Sequence, residues 1–230
     1  MSTALNGSLT SRVAIVTGGS RGVGGATARR LAAVGYAVVV NYLHDQRAAE
    51  LTVEAILAGH CDALAVRADV ADDLDVQRLF TETIAAFGGV DVVVHTVGGH
   101  LTAIPITEAG LDEFDALVRL NTRATFVVNR EAARHLCDGG AIVNLSSSAE
   151  GPSLRTHGLY AATKASTNVL TQAFALELRE RGITVNAVSS AVHWPCVPDR
   201  VTDVIAYLLS DHGHCLTGQI LRVGSTECGP

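Results

Sequence analysis

The chain has 230 residues, 48% of them hydrophobic and 17% charged, with a formal net charge of −6 and a mean hydropathy of +0.29. That suffices for one domain whose strands are mostly buried on both faces; the acidic balance argues against nucleic acid as a main partner, and no apolar run approaches the ~20 residues of a membrane span. The first ten residues lack a signal-peptide pattern, so a cytoplasmic location is expected, and five scattered cysteines without Cys-x-x-Cys spacing point to reduced thiols.

Residues 1–11 read as a loose lead-in. The apolar run Val13–Val16 then meets the densest glycine cluster, Thr17 to Gly25, followed by a helical stretch from Ala26 to Val34. Strand, glycine turn and helix in that order form a phosphate cradle: Gly18, Gly22 and Gly24 let backbone N–H groups approach a pyrophosphate, and the helix N-terminus adds partial positive charge. Ser20, Arg21 and Val23 lie in the same turn. Ala37–Asn41 is the second strand, and its last residue is expected to face an adenosine ribose. An acidic residue there would favour NAD; here Asn41 and Tyr42 follow one another, with no carboxylate until Asp45. Arg21 is available to a 2′-phosphate. NADP(H) is therefore the expected cofactor, with NAD(H) left open.

The alternation continues with a helix at Gln46–Ala58, a strand at Ala63–Arg67, a turn at Asp69-Val70, a helix at Leu74–Phe87 and a strand at Val90–Val94 closed by His95 to Gly99. A long helical stretch, Leu111–Leu136, contains Asn121. Further strands are expected at Ala141–Leu145, Thr184–Val188 and Gln219–Val223, with a helix at Pro198–Ser210. Such alternation predicts a single Rossmann-type domain over residues 1–230: a doubly wound parallel sheet of about seven strands with helices on both faces.

Ser147 closes the Ala141–Leu145 strand, and Tyr160 and Lys164 stand four apart, one above the other on a helix face. An ammonium beneath a phenol pulls its pKa from about 10 toward neutrality. Strand end and helix together outline a proton-transfer site, although a Tyr-x-x-x-Lys pair alone also describes an ordinary surface pair. No two of the nine histidines share a helical spacing with a carboxylate between, so no metal is expected.

Together, Thr17-Gly18-x-x-x-Gly22-x-Gly24, Asp69-Val70, Asn121, Ser147, Tyr160-x-x-x-Lys164, Asn186 and Thr217-Gly218-Gln219 resemble the short-chain dehydrogenase/reductase family, and its 3-oxoacyl-carrier-protein reductase-like branch in particular. The resemblance implies NADPH-dependent reduction of a ketone, or oxidation of the alcohol. Tyr160 would be the acid/base and also touch the cofactor, Lys164 would lower its pKa and bind the nicotinamide ribose, Ser147 would hold the substrate oxygen, and Asn121 would hold a relay water. Asp69 and Val70 would contact adenine, and Gly98 would offer its backbone to the cofactor. The implied substrate is a small carbonyl or alcohol, free or carried as an acyl chain on an acidic protein, and the implied assembly is a homodimer or homotetramer.

Three departures stand out. His95-Thr96-Val97-Gly98 replaces the family's Asn-Asn-Ala-Gly; the Pro-Gly turn after the sixth strand is missing; and few residues separate Trp194 from Pro198, which predicts a shortened substrate lid. These keep a second reading open, an NADP(H)-binding accessory subunit without turnover. Arg119, Arg123, Arg130 and Arg134 form a stripe expected to meet glutamates such as Glu177 and Glu180 across a subunit interface, or to receive an acidic carrier.

Overall fold

The structure is a computed structural model that describes residues 12–99, 103–148, 154–191 and 198–223. His100, the His193–Trp194–Pro195 stretch and the expected short lid lie outside these residues. The β-branched runs form seven parallel strands: β1 (Val13–Thr17), β2 (Ala37–Tyr42), β3 (Ala63–Arg67), β4 (Val90–His95), β5 (Leu136–Ser148), β6 (Thr184–Ala191) and β7 (Ile220–Val223). Their order is β3-β2-β1-β4-β5-β6-β7. Successive strand residues point to opposite faces, and both faces are covered. Ile15, Val39, Val93 and Ile142 pack on one side against helices α3 (Asp73–Phe87), α5 (Ala124–His135) and α6 (Leu154–Glu177). Val16, Val38, Val92 and Val143 pack on the other against α1 (Gly22–Ala33), α2 (Gln46–Ala58) and α7 (Pro198–Leu208).

The chain winds outward from β1 to β3, then returns to place β4 on the other flank of β1. That reversal opens a crevice at the carboxyl ends of the two strands. Thr17, His95 and Asn144 stand side by side there in register.

Several element limits differ from expectation, each for a visible reason. Helix α1 begins inside the glycine cluster at Gly22, because Gly24 packs its bare Cα against the turn. A Cβ on Gly24 would collide with the carbonyl of Gly18 and come within 2.6 Å of Thr96 Oγ1. The Gly18 backbone cannot yield, so Gly24→Ala is expected to cost about 1–3 kcal/mol. It should also displace the turn, seen as a lowered urea midpoint and at least tenfold weaker nucleotide binding; an unaltered midpoint would contradict this packing.

The expected Leu111–Leu136 helix is interrupted. It consists of α4 (Leu111–Leu117), a π-helical segment (Val118–Arg123) and α5, while Leu136 already begins β5. The arginines of the stripe each have a partner within the chain. Arg119 pairs with Asp69 (2.8 Å), Arg123 donates to the carbonyl of Ala71 (2.8 Å), Arg130 pairs with Asp73 and Arg134 with Glu131 (3.1 Å). Among the described residues no helix is long and apolar enough to cross a membrane.

Candidate active site

A cavity of about 540 Å³ occupies the crevice. Its walls include Gly18, Ser20 and Arg21 from the turn after β1, Asn41 and Tyr42 from the end of β2, Asp69 and Val70 after β3, and Gly98 after β4. Gly22, Val23 and Gly24 belong to the first turn of α1 behind the wall. Gly18 and Gly22 have φ of +64° and +57°, conformations that glycine adopts without strain, and these bend the turn around the strand end.

Asn41 does not present its side chain to a ribose. It is buried; its amide nitrogen donates to the carbonyls of Ala68 (3.0 Å) and Val66 (3.3 Å), while its Oδ1 accepts from the Gly18 N–H (3.3 Å). Its backbone carbonyl accepts from the Gly19 N–H at 3.0 Å. Asn41 is thus a strut joining β2, β3 and the glycine turn. Arg21 is exposed and pairs with Asp45 at 3.4 Å. Asp69 is held by Arg119 and by the Ala71 N–H; partial burial pushes its carboxyl up, and these two contacts outweigh it, so it titrates below the usual carboxylate range. Arg119 also lines the cavity, a neighbour that no spacing in the sequence signals, since fifty positions separate it from Asp69.

His95 and Thr96, the unusual pair, tie β4 to β1. The imidazole Nδ1 lies 2.9 Å from Thr17 Oγ1, and the Thr96 hydroxyl donates to the Thr17 carbonyl at 2.6 Å. Burial, aided by the Lys164 ammonium, drives the His95 pKa down to about 3, so the ring is neutral and structural at physiological pH.

At the Gly98 end, β5 delivers Ser147 and α6 delivers Tyr160 and Lys164. The Ser147 and Tyr160 hydroxyls are hydrogen-bonded to each other, and Ser147 also donates to the Ser190 carbonyl at 3.3 Å. Lys164 is 4% exposed and donates to the Leu145 carbonyl at 2.9 Å; burial lowers its pKa to about 8. A Cβ on Gly98 would strike the Lys164 ammonium and stand 2.9 Å from Asn121 Oδ1, so only glycine lets the cavity wall run against the lysine.

The expectation that Lys164 softens the phenol is not met here. Burial raises the Tyr160 pKa, and the hydrogen bond with Ser147 only partly offsets it. Asn121 sits in the π-helical segment with its side chain fully engaged: Oδ1 accepts from the Gly99 N–H (3.2 Å), and the amide donates to the Gly99 carbonyl (3.2 Å) and to Thr163 Oγ1 (3.0 Å). It thereby clamps the β4 loop to α6. Farther along that loop, the Ile104 N–H donates to the Thr156 carbonyl at 2.9 Å, and Ile106 abuts Gly158 two residues before Tyr160. The site therefore unites a nucleotide-sized cavity on a glycine turn with a hydroxyl pair able to share a proton with a bound oxygen.

A family model described as short chain dehydrogenase matches residues 12–193. The chain is 32% identical over 257 aligned residues to short chain dehydrogenase claC of Passalora fulva, covering 94% of each. It is 40% identical over 189 residues to versicolorin reductase 1 of Aspergillus parasiticus, covering 80% of this chain and 70% of that one. Its fold matches a short chain dehydrogenase from Burkholderia cenocepacia J2315, solved in complex with NADP, at a TM-score of 0.85 and 33% identity over 93% of this chain and 96% of the other.

Proposed function

This chain belongs to the short-chain dehydrogenase family, whose members are NAD(P)-dependent oxidoreductases of carbonyl and alcohol groups, and we propose that it uses NADPH to reduce a small ketone, with Tyr160 delivering the proton. The observation that carries this reading is the half-buried Tyr160–Ser147 hydrogen bond beside Lys164, at the Gly98 end of a cavity built on the glycine turn.

The residues fit the cofactor along its length. The turn from Gly18 to Gly22 would receive the pyrophosphate, Tyr42, Asp69 and Val70 would surround the adenosine, and Lys164 would meet the ribose at the far end. The missing carboxylate at the end of β2 and the exposed Arg21 support NADPH, as does the NADP-bound neighbour; NAD(H) is the secondary cofactor. The nicotinamide supplies the hydride chemistry. A phenol whose pKa is raised by burial keeps its proton at neutral pH, which suits an acid that protonates a carbonyl oxygen. Ser147 would hold that same oxygen as charge develops. Asn121 contributes by fixing the β4 loop against α6, beside the lysine.

The arginines available to an acidic carrier are spent on Asp69, Ala71, Asp73 and Glu131, which favours a free small molecule over the carrier-bound chain of the acyl-reductase branch. Exposed Phe114, Phe126, Val169 and Leu176 on α4 to α6 support a homo-oligomer. Incubation with a panel of ketones should consume NADPH faster than NADH with at least one of them. Nucleotide binding without consumption across the panel would instead identify an accessory subunit.

A further inference from the structure

The adenosine end of the cavity carries a carboxylate where the proposed cofactor would bring a phosphate. We propose that Asp45 sets the cofactor selectivity of this chain, by competing with an adenosine 2′-phosphate for the guanidinium of Arg21. The inference rests on the nucleotide reading above and deepens it.

Asp45 is anchored, and Arg21 is the mobile partner. One carboxylate oxygen of Asp45 caps α2 by accepting from the Ala48 N–H at 3.0 Å; the other faces Arg21 Nη1 at 3.4 Å. Helix α2 is in turn tied to the glycine turn, because Thr52 Oγ1 donates to the Ser20 carbonyl at 3.1 Å. The carboxylate therefore cannot swing away without uncapping its helix. The two side chains are 75% and 42% exposed, and an exposed pair of this kind adds little to stability, so fold maintenance does not explain it. Both residues line the cavity, together with Tyr42 and His44.

Charge at this end is balanced. Arg21 faces Asp45 and Arg119 faces Asp69, so the formal charges cancel and a dianionic phosphate meets no net attraction until Arg21 leaves its partner. A 2′-hydroxyl makes no such demand. Asp45 thus draws the two nucleotides toward equal affinity, and removing its charge should separate them.

Asp45→Asn isolates this effect, because asparagine caps a helix as well as aspartate does; Asp45→Ser is a second variant that keeps the cap. Calorimetric titration of the full chain with 2′,5′-ADP and with 5′-AMP reads the adenosine end without any turnover. In Asp45→Asn, 2′,5′-ADP should bind roughly tenfold tighter, the size expected when one screened surface charge ceases to repel a doubly charged group. Binding of 5′-AMP should change less than twofold, and the NADPH-to-NADH ratio of kcat/KM should rise by the factor seen for 2′,5′-ADP. Equal tightening of both nucleotides, or no change in either, would overturn the role of Asp45. Failure of the unaltered chain to bind either nucleotide would overturn the cofactor reading itself, and this proposal with it.

Discussion

Tyr160→Phe is expected to lower ketone reduction by about 10³-fold while leaving the affinity for NADPH within about twofold. The substitution deletes one oxygen and keeps the ring, so α6 retains its packing and the volume beside Ser147 is nearly unchanged. What goes is the proton donor, and a positioned general acid contributes typically 10²–10⁴-fold. A 10³-fold loss corresponds to about 4 kcal/mol of barrier. Gly18, Tyr42 and Asp69, which line the cavity, are untouched by the substitution, which is why binding and turnover should separate. Burial raises the phenol pKa, so in the unaltered chain reduction should persist through neutral pH, and alcohol oxidation, which needs the phenolate, should strengthen only as pH rises toward the alkaline range. Single-turnover decay of NADPH absorbance gives the rate, and fluorescence titration gives the affinity. If Tyr160→Phe keeps a tenth or more of the activity, another group supplies the proton.

The parts of this molecule legible in the sequence are those governed by short-range periodicity. Valine-rich runs bounded by glycine could only be strands buried on both faces, and their alternation with helices gave the parallel sheet. Tyr160 and Lys164 share a helix face because 3.6 residues make a turn, and Ser147 lies opposite them because β5 ends there. What escaped were partners brought together by the fold. Its place at the end of β2 suggests that Asn41 faces a ribose, yet its side-chain amide is engaged by Ala68, Val66 and Gly18, one of them twenty-seven positions away. Spacing places the four arginines in a stripe, but their acceptors lie around α3 and on α5 itself, which spacing along one helix cannot reveal.

Electrostatics were harder still. Adjacency of Tyr160 and Lys164 follows from spacing, but the direction of each pKa shift follows from burial, which depends on every neighbouring element. The interrupted α4–α5 helix is similar: its apolar period continues through the π-helical segment, and only the clamp from Asn121 to Gly99 and Thr163 shows why the extra residue is accommodated there.

Lys164→Met should make the protein more stable and much less active. The lysine is 4% exposed, and burial lowers its pKa from 10.5 to about 8. At neutral pH its ammonium is therefore charged in both states, and burying that charge costs about 3 kcal/mol at the usual value per pKa unit. Methionine has similar length and no charge, so it removes this cost; loss of the hydrogen bond to the Leu145 carbonyl returns about 1 kcal/mol. A net gain of about 2 kcal/mol at pH 7 is expected from urea denaturation. Below pH 8 folded and unfolded chains both hold the proton, so the full penalty applies. Between about pH 8 and 10.5 the folded chain has released it while the unfolded chain still binds it, so the unaltered protein gains stability as pH rises. The advantage of Lys164→Met must therefore shrink across that window and vanish above it. Turnover should fall at least 10²-fold at every pH, with weaker NADPH binding, because the cation beside Gly98 is gone. A variant less stable than the parent at pH 7, or an advantage that does not change with pH, would show that the ammonium is well solvated where it lies. Then the lysine's position would need another explanation than catalysis retained against stability.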